Sequence, residues 1–169
     1  LPRASTTSQA ARDASSPGSA GSRDNAIITP GLKSEILRNA YFLLTQETVT
    51  IGAPLLRLAR TSQTFIDLGD ARFQYSYLIS RIDRHGRSGR FLMVDLRSAP
   101  GRNDPGFEAL MAELRPKLFQ GFRRIGVLTA TANGTLQVMR HTRQDGVDAL
   151  ISSNEADLLA FFRVAASRK

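Results

Sequence analysis

The residues that could do covalent chemistry here are few: Ser98, with Asp95 close by, and two histidines, His85 and His141. These are the side-chain types of a serine hydrolase, where a hydroxyl attacks, an imidazole takes its proton and a carboxylate orients the imidazole. The spacing argues against that chemistry. No Gly-x-Ser-x-Gly elbow is present, and Ser98 runs into Ala99-Pro100 as an extended turn. His85 stands beside Gly86 at the end of a helical pattern, where an imidazole meets the last helix carbonyls. His141 falls mid-helix between Arg140 and Thr142, and is expected on a solvated face with its imidazolium disfavoured by nearby arginines. No residue is assigned a catalytic role, and the chain is not read as an enzyme.

Other chemistries have less behind them. There is no cysteine, hence no thiolate nucleophile, disulfide or cysteine-based zinc site. Two distant histidines and scattered carboxylates form no ligand cluster, so no metal is expected. Gly101 and Gly106 flank no phosphate-loop pattern, and no Gly-Lys-Ser/Thr occurs. No cofactor is implied.

Binding has a better candidate, the loop from Arg97 to Asp104. It follows a strongly apolar strand and leads into a helix start, the region where open α/β sheets bind ligands and where backbone N–H groups favour anions. Asp95, Arg97, Ser98, Arg102, Asn103 and Asp104 are its binding candidates, joined by Arg140 from the basic run Arg140, His141, Arg143. Arg97 and Arg102 suit a phosphate or carboxylate.

The formal net charge is +8, carried almost wholly by arginine, since Lys33, Lys117 and Lys169 are the only lysines. A basic balance raises the prospect of polyanionic partners. The arginines are spread from Arg3 to Arg168 and no five-residue window is wholly basic, a spread that suits solubility. Nucleic acid is therefore not expected as the partner. No apolar run approaches the length of a membrane span, and a cytoplasmic location is expected.

The elements that must position the loop follow from patterning. Residues 1–30, beginning with Leu1, are dominated by Ser, Ala, Thr and Gly, with Ile27 and Ile28 near their end. Such a stretch cannot bury enough apolar surface to order itself and reads as a disordered tail or linker. Residues 31–169 then form one domain. A short helix is expected from Lys33 to about Ala40, then strands over Tyr41–Ile51 and Leu55–Phe65 joined by a Gly52-Ala53-Pro54 turn. Tyr75, Leu78, Ile79 and Ile82 mark a helix running from Asp70 to its stop at Gly86.

Arg90–Leu96 reads as a buried strand. A helix capped by Asp104 follows, with Pro105 at its first position, a stripe of Phe107, Leu110, Met111, Leu114 and Leu118, and Pro116 to kink or end it. Ile125–Thr129 is the next strand, Asn133–Gln144 the next helix, Val147–Ser152 the last strand. A final helix capped by Asn154 or Ser153 carries Leu158, Leu159, Phe161 and Phe162. At helical spacing the aromatics Phe119, Phe122, Phe161 and Phe162 read as core rather than as a pocket lining. The order β-β-α-β-α-β-α-β-α requires right-handed crossovers and a mostly parallel sheet with an N-terminal β-hairpin and helices packed against it.

Three stretches carry a family resemblance. They are Leu92-Met93-Val94-Asp95-Leu96-Arg97 with Ala99-Pro100-Gly101-Arg102-Asn103-Asp104-Pro105, then Phe119-Gln120-Gly121-Phe122-Arg123-Arg124, then Gln137-Val138-Met139-Arg140-His141. With the element order, residues Tyr41 to Phe162 resemble the SpoIIAA-like (STAS) fold, in particular small bacterial STAS/SEC14-like proteins. That resemblance implies a regulatory or adaptor domain that binds a protein partner. It also implies a phosphorylation position in the loop after the central strand, for which Ser98 stands in place. The family pattern there is Asp-Ser-Ser/Thr-Gly, and this chain instead has Asp95-Leu96-Arg97-Ser98-Ala99-Pro100-Gly101. The SEC14-type relatives imply the alternative, carriage of a small lipophilic or anionic ligand.

Overall fold

The computed structural model describes residues 33–48 and 54–167. The 1–30 tail and the tip of the Gly52-Ala53-Pro54 turn lie outside them. Among the described residues, six strands form one sheet: β1 (Ser34–Arg38), β2 (Phe42–Thr48), β3 (Pro54–Arg60), β4 (Phe91–Asp95), β5 (Arg124–Leu128) and β6 (Ala149–Ser152). The helices are α1 (Leu68–His85), α2 (Pro105–Phe119), α3 (Ala132–Gln144) and α4 (Glu155–Ser167). The fold is α/β with a mostly parallel sheet. β1, β2 and β3 pair antiparallel, and β3 through β6 pair parallel, with the spatial order identical to the chain order.

A parallel sheet wound steadily in one direction, each crossover of one hand, must place its crossover helices on one face. That face buries Leu56, Leu58, Leu92, Val94, Ile125 and Val127 beneath Ala71, Tyr75, Leu78 and Ile82 of α1 and Leu110, Leu114 and Leu118 of α2. The opposite face is covered by α4, whose Leu158 and Phe162 pack on Leu55, Phe91, Met93 and Leu128. Alternation along each strand divides the two sets, as period two requires. Gly126 lets α4 approach closely: a Cβ there would stand 2.9 Å from Phe162 Cζ and 3.2 Å from both Leu158 methyls.

The helix ends follow their local signals. Asp67 caps α1 by accepting from the Asp70 N–H at 2.7 Å, and Gly86 ends the helix at φ 82°. Asp104 caps α2 by accepting from the Phe107 N–H at 2.9 Å, with Pro105 in the first turn. Thr131 caps α3 through the Gly134 N–H, and Asn154 accepts from the Ala156 N–H at the head of α4.

Three local expectations need correction. The helix expected over Lys33–Ala40 is the edge strand β1, because Ile36 and Leu37 are buried and the backbone is satisfied by β2. A window that short cannot nucleate a helix of its own, and Arg81 of α1 fixes the strand by donating to the Ile36 carbonyl at 2.8 Å. The strand expected to reach Phe65 ends at Arg60, where the chain turns toward α1. Pro116 does not end α2. It lies in the last turn, the helix runs on to Phe119, and the Gln120 N–H donates to the Pro116 carbonyl at 3.0 Å.

Candidate functional site

At the carboxyl ends of β4 and β5 the chain leaves a cleft of about 520 Å³. It exists because α1 packs against α2, whereas α3 leans on β6 and leaves the space between α2 and α3 open. Its rim is the loop after β4, Leu96 to Asn103, with Ala130 and Thr131 after β5 and Asn133 in the first turn of α3. Phe107, Met111 and Phe119 of α2 form one wall, Val138 of α3 faces them, and Val127 of β5 with Thr129 just beyond it form the floor. A volume of this size, mostly apolar with a few convergent polar groups, is the ordinary form of a small-molecule site.

The polar groups come from positions that face inward on the two helices. On α2, Glu108, Met111, Arg115 and Phe119 recur every three or four residues, one step around from the core stripe Leu110, Leu114 and Leu118. On α3, Gly134, Gln137, Val138 and His141 do the same. Glu108 sits at the centre. Gln137 Nε2 donates to its carboxylate at 3.2 Å and to Asn103 Oδ1 at 3.4 Å, while His141 Nε2 lies 3.3 Å from Glu108 Oε2. Deeper along α2, Arg115 Nε donates to Asp145 at 2.6 Å, with both side chains largely buried. Thr129 and Thr135 share a hydroxyl contact of 2.7 Å at the floor.

His141 does not lie on a solvated face as its neighbours suggest. It is 9% exposed and turned into the cleft, and its Nδ1 is buried without a hydrogen-bond partner among the described residues. Burial holds its pKa below the ordinary histidine value, chiefly by disfavouring the imidazolium. Arg115 adds to that effect, as does Arg140, while Glu108 and Asp145 oppose it without reversing it. A base whose folded pKa is depressed takes up fewer protons than the unfolded chain does. Its contribution to stability is complete above the unfolded value of 6.5 and is lost as pH falls below that through the folded value. Thermal melts between about pH 7 and about pH 5 should therefore show a decline that is shallower in His141→Gln. Parallel pH profiles for the two proteins would show that His141 is not the titrating group.

The loop residues anticipated from sequence are only partly turned to the cleft. Arg97, Arg102 and Asn103 line it. Arg97 is bound to Asp95 through its side chain and its own N–H, and also reaches Glu155 of α4 at 3.3 Å. Burial alone would raise the Asp95 carboxyl, but the Arg97 guanidinium and N–H hold it below the usual carboxylate range. Arg57 of β3 continues the same network, bridging Glu155 at 2.6 Å and Glu47 at 2.9 Å. Arg102 pairs with Asp104 and lies 4.9 Å over the Phe107 ring, and this arginine holds the Asp104 carboxyl low. Ser98 is exposed in the turn after β4. Arg140 is exposed on α3 beside the outer mouth, with Leu136.

His85 stands in the last turn of α1, and the aromatics divide. Phe162 is core under α4, with Phe161 packed beside it, Phe119 lines the cleft, and Phe122 carries Arg87 at 5.3 Å. Among the described residues, no three His, Cys, Asp or Glu side chains gather as a metal would require, and no helix is long and apolar enough to cross a membrane. No protein-family model, curated protein or solved structure matches this chain.

Proposed function

We propose that this chain is a non-catalytic binding domain whose ligand is a small, largely apolar molecule held between α2 and α3. The cleft itself carries this reading: about 520 Å³ at the carboxyl ends of β4 and β5, with apolar walls and the Glu108, Gln137, His141 and Arg115 groups converging on it. The surroundings also count against a hydrolase. Asp95 is taken by Arg97 rather than by an imidazole, and His141 faces Glu108 from inside the cleft while Ser98 is exposed.

Filling the space tests the reading. Val138→Trp places an indole between the walls while leaving both helix caps intact. An apolar fluorescent probe such as anilinonaphthalene sulfonate should bind the parent protein and lose affinity by about tenfold or more in the variant, with the circular dichroism spectrum unchanged. Equal binding by the two proteins would place the probe, and the function, elsewhere.

A second reading, a STAS-type regulatory adaptor that binds a protein partner through the Arg97–Asp104 loop and α2, has one observation in its favour. Ser98 stands exposed in the turn directly after the central strand, open to modification. The carboxylates already bound to Arg97 and Arg102 weaken the arginine part of that surface.

A further inference from the structure

Resting on the cleft reading, we propose that the ligand is an amphiphilic monocarboxylic acid. Its carboxylate pairs with Arg115 at depth, and its apolar body lies along α2 toward Phe107 against Met111, Val127 and Val138. Arg115 is the reason to name an acid. Its side chain is 13% exposed, it lines the cleft, and among the described residues its guanidinium is engaged only through Nε, to Asp145. A guanidinium has five donors in a planar fork, and two other arginines here use theirs to hold two carboxylates each. Arg57 bridges Glu47 and Glu155, and Arg97 bridges Asp95 and Glu155. Arg115 has one carboxylate and an open cleft beside it.

Length and charge narrow the class. Phe107 and Arg115 are eight residues apart on one helix, about 12 Å at 1.5 Å per residue, so the molecule is elongated rather than compact. The facing groups are Glu108 from α2, His141 and Arg140 from α3, Asp145 at its end, and the Arg102–Asp104 and Arg97–Asp95 pairs at the rim, whose arginines are already matched by carboxylates. Glu108 disfavours a second negative charge near the mouth, which selects a monoacid over a diacid or a phosphate. His141, 3.3 Å from Glu108 Oε2, adds a titratable group beside the acid's path.

Calorimetric titration of the whole chain with octanoate, octanol and octanedioate tests this. Octanoate should bind about tenfold or more tightly than octanol, the difference that charge-assisted hydrogen bonds supply, and octanedioate should bind more weakly than octanoate. In Arg115→Met/Asp145→Asn, which removes both charges together and strands neither, octanol binding should persist and the octanoate advantage should vanish. An octanoate affinity no better than that of octanol, or an advantage that survives the double substitution, overturns the proposal while leaving an apolar cleft in place. Binding of neither compound would overturn the cleft reading with it. Should the double variant fail to fold, carboxyl-labelled octanoate followed by carbon NMR on the parent protein decides. A guanidinium partner lowers the bound acid's pKa, and an unchanged or raised value refutes it.

Discussion

Truncating Phe162 to alanine lowers the free energy of unfolding by about 3–5 kcal/mol, read as a fall in the urea midpoint with the slope preserved. Phe162 is fully buried, stacks on Phe91 with ring centroids 5.1 Å apart, and closes over Gly126. The face it covers is the smaller of the two. Its buried set is Leu55, Phe91, Met93, Leu128, Leu158 and Phe162, so one aromatic ring is a large share of what holds α4 to the sheet. Gly126 offers no side chain to fill the space from the sheet, and the flanking Phe161 and Leu159 are only partly buried at the edge of the cluster. A loss under about 1 kcal/mol would mean that α4 relaxes onto the sheet in a way its packing does not suggest.

The second large effect is at Arg60, and there the chemistry matters more than the volume. Arg60 is 6% exposed, its guanidinium lies 4.2 Å over Phe65 and 5.3 Å over Phe42, and it donates to the carbonyls of Tyr41 at 3.0 Å and Gln63 at 2.7 Å. Burial lowers its pKa, with the Tyr75 and Tyr41 phenols partly offsetting that. No carboxylate pairs with it among the described residues, so the aromatic faces and carbonyls are what hold the cation. Arg60→Ala removes the Gln63 carbonyl's donor, leaves the Tyr41 carbonyl with the Thr61 N–H alone, takes the cation off the Phe65 and Phe42 faces, and is expected to cost about 3 kcal/mol or more. Arg60→Lys should restore only part of the loss, because an ammonium cannot lie flat on a ring and reach two carbonyls at once. Full recovery by lysine in thermal melts would show that charge alone suffices at this position. The cluster touches the cleft through the Phe65 and Phe107 rings, 6.2 Å apart, so a loosened Arg60 should also weaken the α2 wall.

Most of the fold was readable because its signals are local. Asp104-Pro105 marks a helix start by capping chemistry, and Phe91-Leu92-Met93-Val94 marks a strand buried on both faces by its lack of alternation. The site was harder for a physical reason. The loop residues Asp95, Arg97, Arg102 and Asp104 stand out because they are charged and follow a strand, yet in the fold they are largely bound to one another and to Glu155. Glu108, Arg115, Gln137 and His141 are spread over two helices and become one site only when α2 and α3 are placed side by side. Sequence did hold a faint trace of them. The α2 pattern carries a second inward stripe, Glu108, Met111, Arg115 and Phe119, which a fully packed helix would not need. His141 was misjudged because flanking arginines speak for exposure, whereas its position in the helical turn decides its direction.

The match between strand order and chain order has a consequence for how the molecule is assembled. Each strand's sheet neighbours are the strands before and after it in sequence, so every pairing closes over one loop or one helix and none waits for a distant segment. Low sequence separation of this kind favours fast folding for a sheet protein, and the sheet can grow from any hairpin or β-α-β unit outward. It also fixes β1 and β6 at opposite edges, five strand spacings or about 24 Å apart. The last helix shortens that distance: α4 carries the chain back from β6 across the opposite face, with Phe162 reaching Leu55 of β3, so a circular permutant would need a linker spanning less than the full width of the sheet.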